Sequence, residues 1–129
     1  MTDKELYELA IKAMEYSYSP YSDCKVGAAL LCKNGKVFTG TNIENAAFSP
    51  TICAERVAIF KAVSEGYRGF SKLAVTAMPC GMCRQALLEV EHKQGTHIRV
   101  LLYGEKGTHC IESIEALMPL TFNAESMEI

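Results

Sequence analysis

The sequence predicts an α/β fold, a three-layer sandwich in which a mixed five-stranded sheet is flanked by helices. Segments with helical periodicity alternate with short apolar runs, in the order α-β-β-α-β-α-β-β-α. This alternation is typical of a single sheet covered by helices. The chain has 129 residues, 49% of them hydrophobic, which is enough for one domain with its own core. We therefore expect residues 1–129 to form a single domain.

The first part of the chain predicts a helix followed by a β-hairpin. Thr2 begins a Thr-x-x-Glu capping box, and apolar residues then recur at helical intervals, so we expect a helix over residues 3–18. Two apolar runs, 26–32 and 36–41, lie on either side of Asn34-Gly35. Because Asn-Gly favours a two-residue hairpin turn, these runs are predicted to form antiparallel strands.

The rest of the chain alternates strands with helices. Ser49 has the character of an N-cap, and Pro50 that of a first helical residue, which predicts a helix over about 51–65. The remaining expected elements are a strand at 72–77, a helix at 79–92, strands at 97–103 and 108–111 joined by a turn at 104–107, and a last helical turn at 113–118.

Composition and charge exclude several classes of function. Thirteen Lys and Arg face fifteen Asp and Glu, for a net charge of −2 with no basic cluster, so no nucleic acid partner is expected. No apolar run approaches the roughly 18 to 20 residues that a membrane span needs. With six cysteines but no signal-like N-terminus, metal or redox roles rank above disulfides, and a cytoplasmic location is expected.

Three cysteines and one glutamate form the most informative motif. Cys53-Ala54-Glu55 is followed by Pro79-Cys80-Gly81-Met82-Cys83, so the chain offers three sulfur ligands and a carboxylate that is a poor fourth ligand. A zinc ion held by three protein groups keeps an open position, which marks a catalytic site. The expected helix starts would also lower the pKa of these cysteines through their free amides and partial positive charge.

Two neighbouring residues of the motif have expected roles in the chemistry. Glu55 is expected to be the proton carrier: it would accept a proton from the water that zinc activates, and return protons to the substrate later in the same reaction. Three thiolates and one Zn²⁺ carry a net charge of −1, which weakens the metal as a Lewis acid. Arg56 is expected to offset this by donating hydrogen bonds to the sulfurs.

Other interpretations of the motif remain open from the residues alone. Cys-x-x-Cys also occurs as a redox pair. A structural zinc site would need a fourth ligand, and Glu55 and Arg56 would then be ordinary surface residues of a helix. The candidates for that fourth ligand are His92, His97, His109, Cys24, Cys32 and Cys110. Of these, Cys32 and Cys110 fall in or beside strands and are expected to be buried and inert.

Over almost its whole length the chain resembles the small homotetrameric zinc-dependent cytidine deaminases. The matching segments, in order, are Ser19–Ser22, Val26–Leu30, Asn42–Ala46, Cys53–Arg56 and Pro79–Gln85. The resemblance implies a cytidine deaminase-like fold and hydrolytic conversion of cytidine or deoxycytidine to uridine or deoxyuridine, with release of ammonia, in pyrimidine salvage. It implies one Zn²⁺ per subunit bound by Cys53, Cys80 and Cys83, a nucleoside substrate, and a homotetramer with shared active sites.

The same resemblance implies roles for five further residues. Asn42 and Glu44 match the pair that hydrogen-bonds the ribose 3′-hydroxyl; the alternative is a turn-forming Asn beside a surface Glu. Ala46, Phe48 and Phe122 match positions that reach the substrate of a neighbouring subunit, whereas core packing is the alternative for the two aromatic residues.

The chain departs from the family pattern at two places. Cys24 stands where phenylalanine commonly lines the base pocket, and the segment Ala77-Met78-Pro79 is shorter than usual. The alternative function is a deaminase of a modified nucleoside, or of a blasticidin-like substrate, and a non-catalytic zinc module is a third possibility that the presence of Glu55 disfavours.

Overall fold

The computed structural model describes residues 1–104 and 107–127. Its elements follow the expected order. The predictions for residues 105 and 106, in the expected turn at 104–107, and for residues 128 and 129, at the end of the expected domain, lie outside the described residues. The helices and strands are α1 (Asp3–Ala13), β1 (Gly27–Cys32), β2 (Val37–Thr41), α2 (Ala54–Ser64), β3 (Phe70–Val75), α3 (Gly81–Gln94), β4 (Arg99–Gly104) and β5 (Gly107–Ile111), with short 3₁₀ turns at Met14–Tyr16, Glu115–Leu117 and Ala124–Met127.

The five strands form one mixed sheet in the order β2-β1-β3-β4-β5. β1 pairs antiparallel with both β2 and β3, and β4 pairs antiparallel with β5. Only β3 and β4 run parallel among the described strands, and α3 makes the crossover between them, as a parallel connection requires. The predicted mixed five-stranded sheet is confirmed.

The helices lie on both faces of the sheet and make the three layers that the sequence predicts. On one face α1 packs its buried Leu6 and Ala10 against Ala29, Ala74 and Leu101 of the three central strands. On the other face α2 and α3 cover the alternate residues of the same strands in a larger core. Because successive strand residues point to opposite faces, the central strands are apolar on both sides.

The two later helices begin two or three residues after their predicted starts. The sequence places a helix start at residue 51, but α2 begins at Ala54 with Cys53 as its N-cap. Ile52 instead pairs with Ile43 through two backbone hydrogen bonds of 2.9 and 3.0 Å, and this pairing keeps residues 50–52 out of the helix. Likewise α3 begins at Gly81, because Cys80 is extended and acts as the N-cap.

The antiparallel strands predicted around Asn34-Gly35 are confirmed apart from the length of their turn, and the expected burial of Cys110 is wrong. The hairpin between β1 and β2 is present, but its connection spans Lys33–Lys36, closed by a 2.8 Å bond from the Cys32 amide to the Lys36 carbonyl. Gly35 there adopts a φ of +93°, which glycine accepts without strain. Cys32 is buried as expected, whereas Cys110 is exposed, because β5 is an edge strand.

Close contact between α2 and the sheet brings the start of α2 near the strand ends. A Cβ atom on Gly40 of β2 would lie 2.4 Å from the Ala54 carbonyl oxygen and 2.7 Å from the Ala58 amide. Only glycine permits that approach. It fixes the first turn of α2 against the sheet edge where β2 ends.

Candidate active site and metal centre

Three cysteine sulfurs meet between the first turns of α2 and α3. Cys53 is the N-cap of α2, Cys80 is the N-cap of α3, and Cys83 lies one turn further along α3. The Cys80 sulfur lies 3.5 Å from the Cys53 sulfur and 3.5 Å from the Cys83 sulfur, and all three lie within 4.8 Å of one another. In the described part of the chain this is the one such group of potential metal ligands.

The donor set fits a zinc ion with one position left open. Zinc–thiolate bonds of about 2.3 Å in tetrahedral geometry place sulfurs roughly 3.8 Å apart, close to the separations found here. Thiolates are also the ligands that favour zinc over harder cations. Within residues 1–104 and 107–127 no fourth side chain joins the group, which argues against the closed structural site. In particular the six candidate fourth ligands named from the sequence do not belong to it.

The surroundings of the three sulfurs shift the pKa values of these cysteines in different directions. Burial raises the pKa of Cys53 and, together with the nearby Glu55 carboxylate, that of Cys83. Burial also opposes ionisation of Cys80, but hydrogen bonds from the Cys83 amide, from the Cys53 and Cys83 thiols and from the Met82 amide together outweigh it and lower the pKa of that thiol. The helix start therefore favours the thiolate at Cys80, as expected for an N-cap sulfur.

Glu55 is a buried carboxyl group beside the sulfurs. It lies in the first turn of α2 and is only 3% exposed. Burial raises its pKa, and interaction with Cys83 opposes this shift. A carboxyl group whose pKa is raised toward neutrality is suited to accept and donate protons in one cycle. The alternative that Glu55 is a solvated surface residue is wrong.

Arg56 points its guanidinium group at the sulfurs. Its Nη2 atom lies 3.6 Å from the Cys53 sulfur, and charge interactions with Cys53 and Cys83 favour its protonated form. Its Nε atom is buried without a hydrogen-bond partner among the described residues. A cation held here partly neutralises the thiolates, as the sequence predicts for Arg56.

A pocket of about 270 Å³ opens in front of the metal group. Its wall combines two of the cysteines and Glu55 with the residues after β2 and with the segment before β1. The lining residues are Ser22, Cys24, Val26, Asn42, Glu44, Thr51, Ile52, Cys53, Ala54, Glu55, Ala77, Met78 and Cys80. A larger cavity of about 660 Å³ lies on the other end of α3 and contains none of these residues.

The structure brings Asn42 and Glu44 into this pocket, but neither side chain is free of partners. The Asn42 side chain bonds to Ser17, Cys24 and Val26. Glu44 accepts hydrogen bonds from the Tyr21 amide at 3.0 Å, from the Ser22 amide at 3.2 Å and from the Ser22 hydroxyl. The hydroxyl of Ser22 is the main cause of a lowered pKa at Glu44, so this half-buried side chain is an anionic acceptor.

Ala46, Phe48 and Phe122 do not line the pocket of their own chain. Phe48 is 76% exposed and Phe122 is 60% exposed, so the alternative that they pack in the core is wrong. Phe48 also has a φ of +62°, a costly conformation for a bulky residue. Two backbone bonds, Phe48 amide to Asn45 carbonyl and Thr51 amide to Phe48 carbonyl, hold this turn.

Several residues of the site were missed by reasoning from the sequence. Val26 forms an apolar part of the pocket wall, and Ser17 and Ser22 hold its polar residues. Each is an unremarkable residue type in its segment. The antiparallel pairing of β1 with β2 places Val26 beside Asn42, and the two serines are identified only by their hydrogen bonds to Asn42 and Glu44.

A mixed sheet in which two helix starts carry three thiols and a buried carboxylate defines a class of metal-dependent α/β enzymes. Comparison with known proteins shows the family within that class. Residues 1–96 match the family model described as the cytidine and deoxycytidylate deaminase zinc-binding region, and the chain belongs to this family.

Individual relatives support the same assignment. The cytidine deaminase of Sporosarcina psychrophila is 44% identical over 122 residues, covering 90% of this chain and 88% of that protein. The cytidine deaminase of Halalkalibacterium halodurans is 43% identical and covers 98% of both chains. The crystal structure of cytidine deaminase from Burkholderia pseudomallei superposes with a TM-score of 0.85 at 39% identity, covering 95% of this chain and 100% of that one.

Proposed function

We propose that this protein is a zinc-dependent cytidine deaminase that converts cytidine and deoxycytidine to uridine and deoxyuridine. The observation that carries the proposal is the juxtaposition of three thiols and the buried Glu55 at the end of a 270 Å³ pocket. The reaction is a hydrolysis in which the carbon–nitrogen bond to the exocyclic amine breaks. Water supplies the oxygen of the product carbonyl, and ammonia leaves.

The metal would be held by Cys53, Cys80 and Cys83. When bound there, zinc acidifies water and so supplies a nucleophile near neutral pH. Glu55 moves the protons: it accepts one from the attacking water, delivers it to the ring nitrogen, and then transfers a proton to the leaving amine. Burial raises the pKa of Glu55. A carboxyl group with a raised pKa can both accept a proton and give it up within one catalytic cycle.

Arg56 would tune the metal rather than touch the substrate. Its position 3.6 Å from the Cys53 sulfur withdraws charge from the three-thiolate group, which leaves the metal a stronger Lewis acid. This accounts for a half-buried arginine next to the catalytic carboxylate.

Asn42 and Glu44 would recognise the sugar of the nucleoside. Both line the pocket, and the anionic Glu44 is suited to accept a hydrogen bond from a ribose hydroxyl. Among the residues that the structure describes, the Asn42 amide nitrogen makes one hydrogen bond, to the Cys24 carbonyl, which leaves its second N–H to donate to the same hydroxyl. Free cytosine, without a sugar, should therefore be a poor substrate.

We also propose a homotetramer with shared active sites. Exposed Phe48 and Phe122 lie outside the pocket of their own chain, together with exposed Tyr16, Tyr18 and Leu120. An apolar surface of this kind fits contact with further copies of the chain. Ala46 and the two phenylalanines would then complete the site of a neighbouring subunit.

Residues 1–129 would act as a single cytidine deaminase-like catalytic domain in pyrimidine salvage. One sheet and its two cores connect the described residues from α1 to the 3₁₀ turn at Glu115–Leu117. We propose a cytoplasmic location, where reducing conditions keep the cysteine ligands as thiols; all six cysteines are free in the structure. Separately, none of the described helices has the length and apolar character to cross a membrane.

Purified protein should contain one zinc per chain and should release ammonia from cytidine. The experiment combines metal analysis with ultraviolet monitoring of cytidine, deoxycytidine, cytosine and blasticidin S as substrates. Turnover of the two nucleosides with little of the others supports the proposal. Turnover of blasticidin S alone would favour the alternative function. A zinc-loaded protein that deaminates none of the four compounds would refute the proposed deaminase function.

A further inference from the structure

The Asn42 side chain is a bridge between the end of β2 and the segment that leads into β1. Its Oδ1 atom accepts hydrogen bonds from the Ser17 hydroxyl at 2.6 Å and from the Val26 amide at 2.9 Å. Its Nδ2 atom donates to the Cys24 carbonyl at 2.7 Å. These partners fix the orientation of the Asn42 amide. The Val26 N–H can only donate, so it must face Oδ1, and the Cys24 carbonyl can only accept, so it must face Nδ2.

The bridged segment forms one wall of the pocket. Cys24 and Val26 both line the cavity, and Asn42 bonds to the backbone of each. The preceding residue, Asp23, has a φ of +56°. This is a left-handed backbone conformation, which residues other than glycine adopt at some cost in free energy. Since the segment lies outside regular secondary structure, these side-chain bonds do much to fix its position.

Glu44 makes a second attachment to the same segment. It accepts from the amides of Tyr21 and Ser22, and the Ser22 hydroxyl in turn accepts from the Cys24 amide at 3.0 Å. The two polar residues after β2 therefore hold the pocket wall at both of its ends. Because the oxygen of Asn42 already has two donors, a sugar hydroxyl that donated to it would have to displace one of them.

We infer that Asn42 is a positioning residue for the pocket wall at Cys24–Val26, in addition to any contact with the sugar. The inference rests on the proposed deaminase function, but it makes a different prediction from sugar binding alone. A residue that only binds the 3′-hydroxyl matters only when that hydroxyl is present. A residue that holds the wall matters for every nucleoside, and also in the absence of substrate.

Steady-state kinetics with cytidine and 3′-deoxycytidine separates the two roles. For Asn42→Ala we expect kcat/KM to fall about tenfold or more on 3′-deoxycytidine, the effect of roughly one net hydrogen bond, and at least as much on cytidine. Ser17→Ala, which changes a residue outside the pocket, should lower both values by a similar, smaller factor. An Asn42→Ala variant with unchanged kcat/KM on 3′-deoxycytidine would overturn the inference.

Hydrogen exchange of the ligand-free, zinc-loaded protein provides a second measurement that does not need turnover. The Val26 amide should exchange at least about tenfold faster in Asn42→Ala, because its acceptor is gone. Asn42→Asp keeps that acceptor but sets a carboxylate against the Cys24 carbonyl, so it should protect the Val26 amide and still lower kcat/KM on 3′-deoxycytidine. Unchanged exchange in Asn42→Ala would contradict the inference.

The two proposals can fail separately. If no nucleoside is deaminated, the proposed function fails, while the exchange of the Val26 amide still decides whether Asn42 holds the wall. If cytidine is deaminated but Asn42→Ala alters neither exchange nor 3′-deoxycytidine turnover, only the positioning role is lost. Zinc content and far-ultraviolet circular dichroism establish that each variant is folded; should Asn42→Ala not fold, Asn42→Asp and Ser17→Ala carry the test.

Discussion

Glu91 offers the sharpest test of how the sheet is held at the end remote from the site. This carboxylate lies near the end of α3 and is 3% exposed. One of its oxygens accepts from the amides of Ile98 and Ile114 at 2.8 and 2.9 Å, and the other from the amide of Glu115 at 3.3 Å. A single side chain thus joins α3 to the segments before β4 and after β5.

Replacing Glu91 with Ala should cost about 3–5 kcal/mol of folding free energy. The change leaves the amides of Ile98 and Ile114 without their acceptor, both in fully buried residues. Each orphaned buried donor costs about 1–3 kcal/mol, and the cavity adds to the loss. Glu91→Gln keeps one oxygen for the same two amides, so it should cost only about 1–2 kcal/mol.

The measurement is urea denaturation of the zinc-loaded protein at fixed protein and zinc concentrations, since both metal binding and assembly shift apparent stability. Glu89→Ala, an exposed glutamate on the same helix, is the matched control and should stay within about 0.5 kcal/mol of the parent. If Glu91→Ala were destabilised by less than about 1 kcal/mol at an unchanged m-value, the reasoning about orphaned amides would be refuted.

The other predictions concern the site and one surface ion pair. Glu55→Ala should bind one zinc per chain but lose at least about 10³-fold in kcat, because Glu44, the other carboxylate among the described lining residues, is already bonded to Tyr21 and Ser22. Metal analysis and turnover test this, and near-normal turnover would contradict it. Arg56→Ala should keep its zinc and lose about tenfold in kcat; unchanged kcat would remove this residue from the mechanism. The hydrogen bond from Lys72 lowers the pKa of Asp3 below its usual 3.8, so the pair stabilises the protein above that pH and loses its effect as pH falls through the lowered value. Asp3→Asn should therefore lower the free energy of unfolding at pH 7 by less than about 1 kcal/mol, and this difference should shrink below pH 3.8; a difference that is constant with pH would count against it.

The fold was largely predictable because each local pattern agreed with the final arrangement. The Thr2–Glu5 capping box forms, with the Glu5 amide bonded to the Thr2 hydroxyl at 3.1 Å, and the alternating order of elements gave the mixed sheet. Helix starts were placed too early where a long-range contact competes. Ser49-Pro50 is a good local start signal, but the pairing of Ile43 with Ile52 overrides it.

The metal group was predictable from the sequence for a physical reason that does not extend to the pocket wall. Thiols and a buried carboxylate are rare, chemically specific residues, and their spacing carries information on its own. The backbone groups that Asn42 contacts cannot be identified from residue types, because almost every residue presents the same N–H and C=O groups.

The later helix starts also strengthen the argument for the metal centre. An N-cap residue is extended, so its side chain lies beside the free amides of the first turn instead of along the helix. Cys53 and Cys80 both occupy this position, one on each helix, and Cys83 follows on the same face as Cys80. The later helix starts therefore bring the three sulfurs within 4.8 Å of one another. Glu55, two residues after Cys53, then lies on the buried side of the same site.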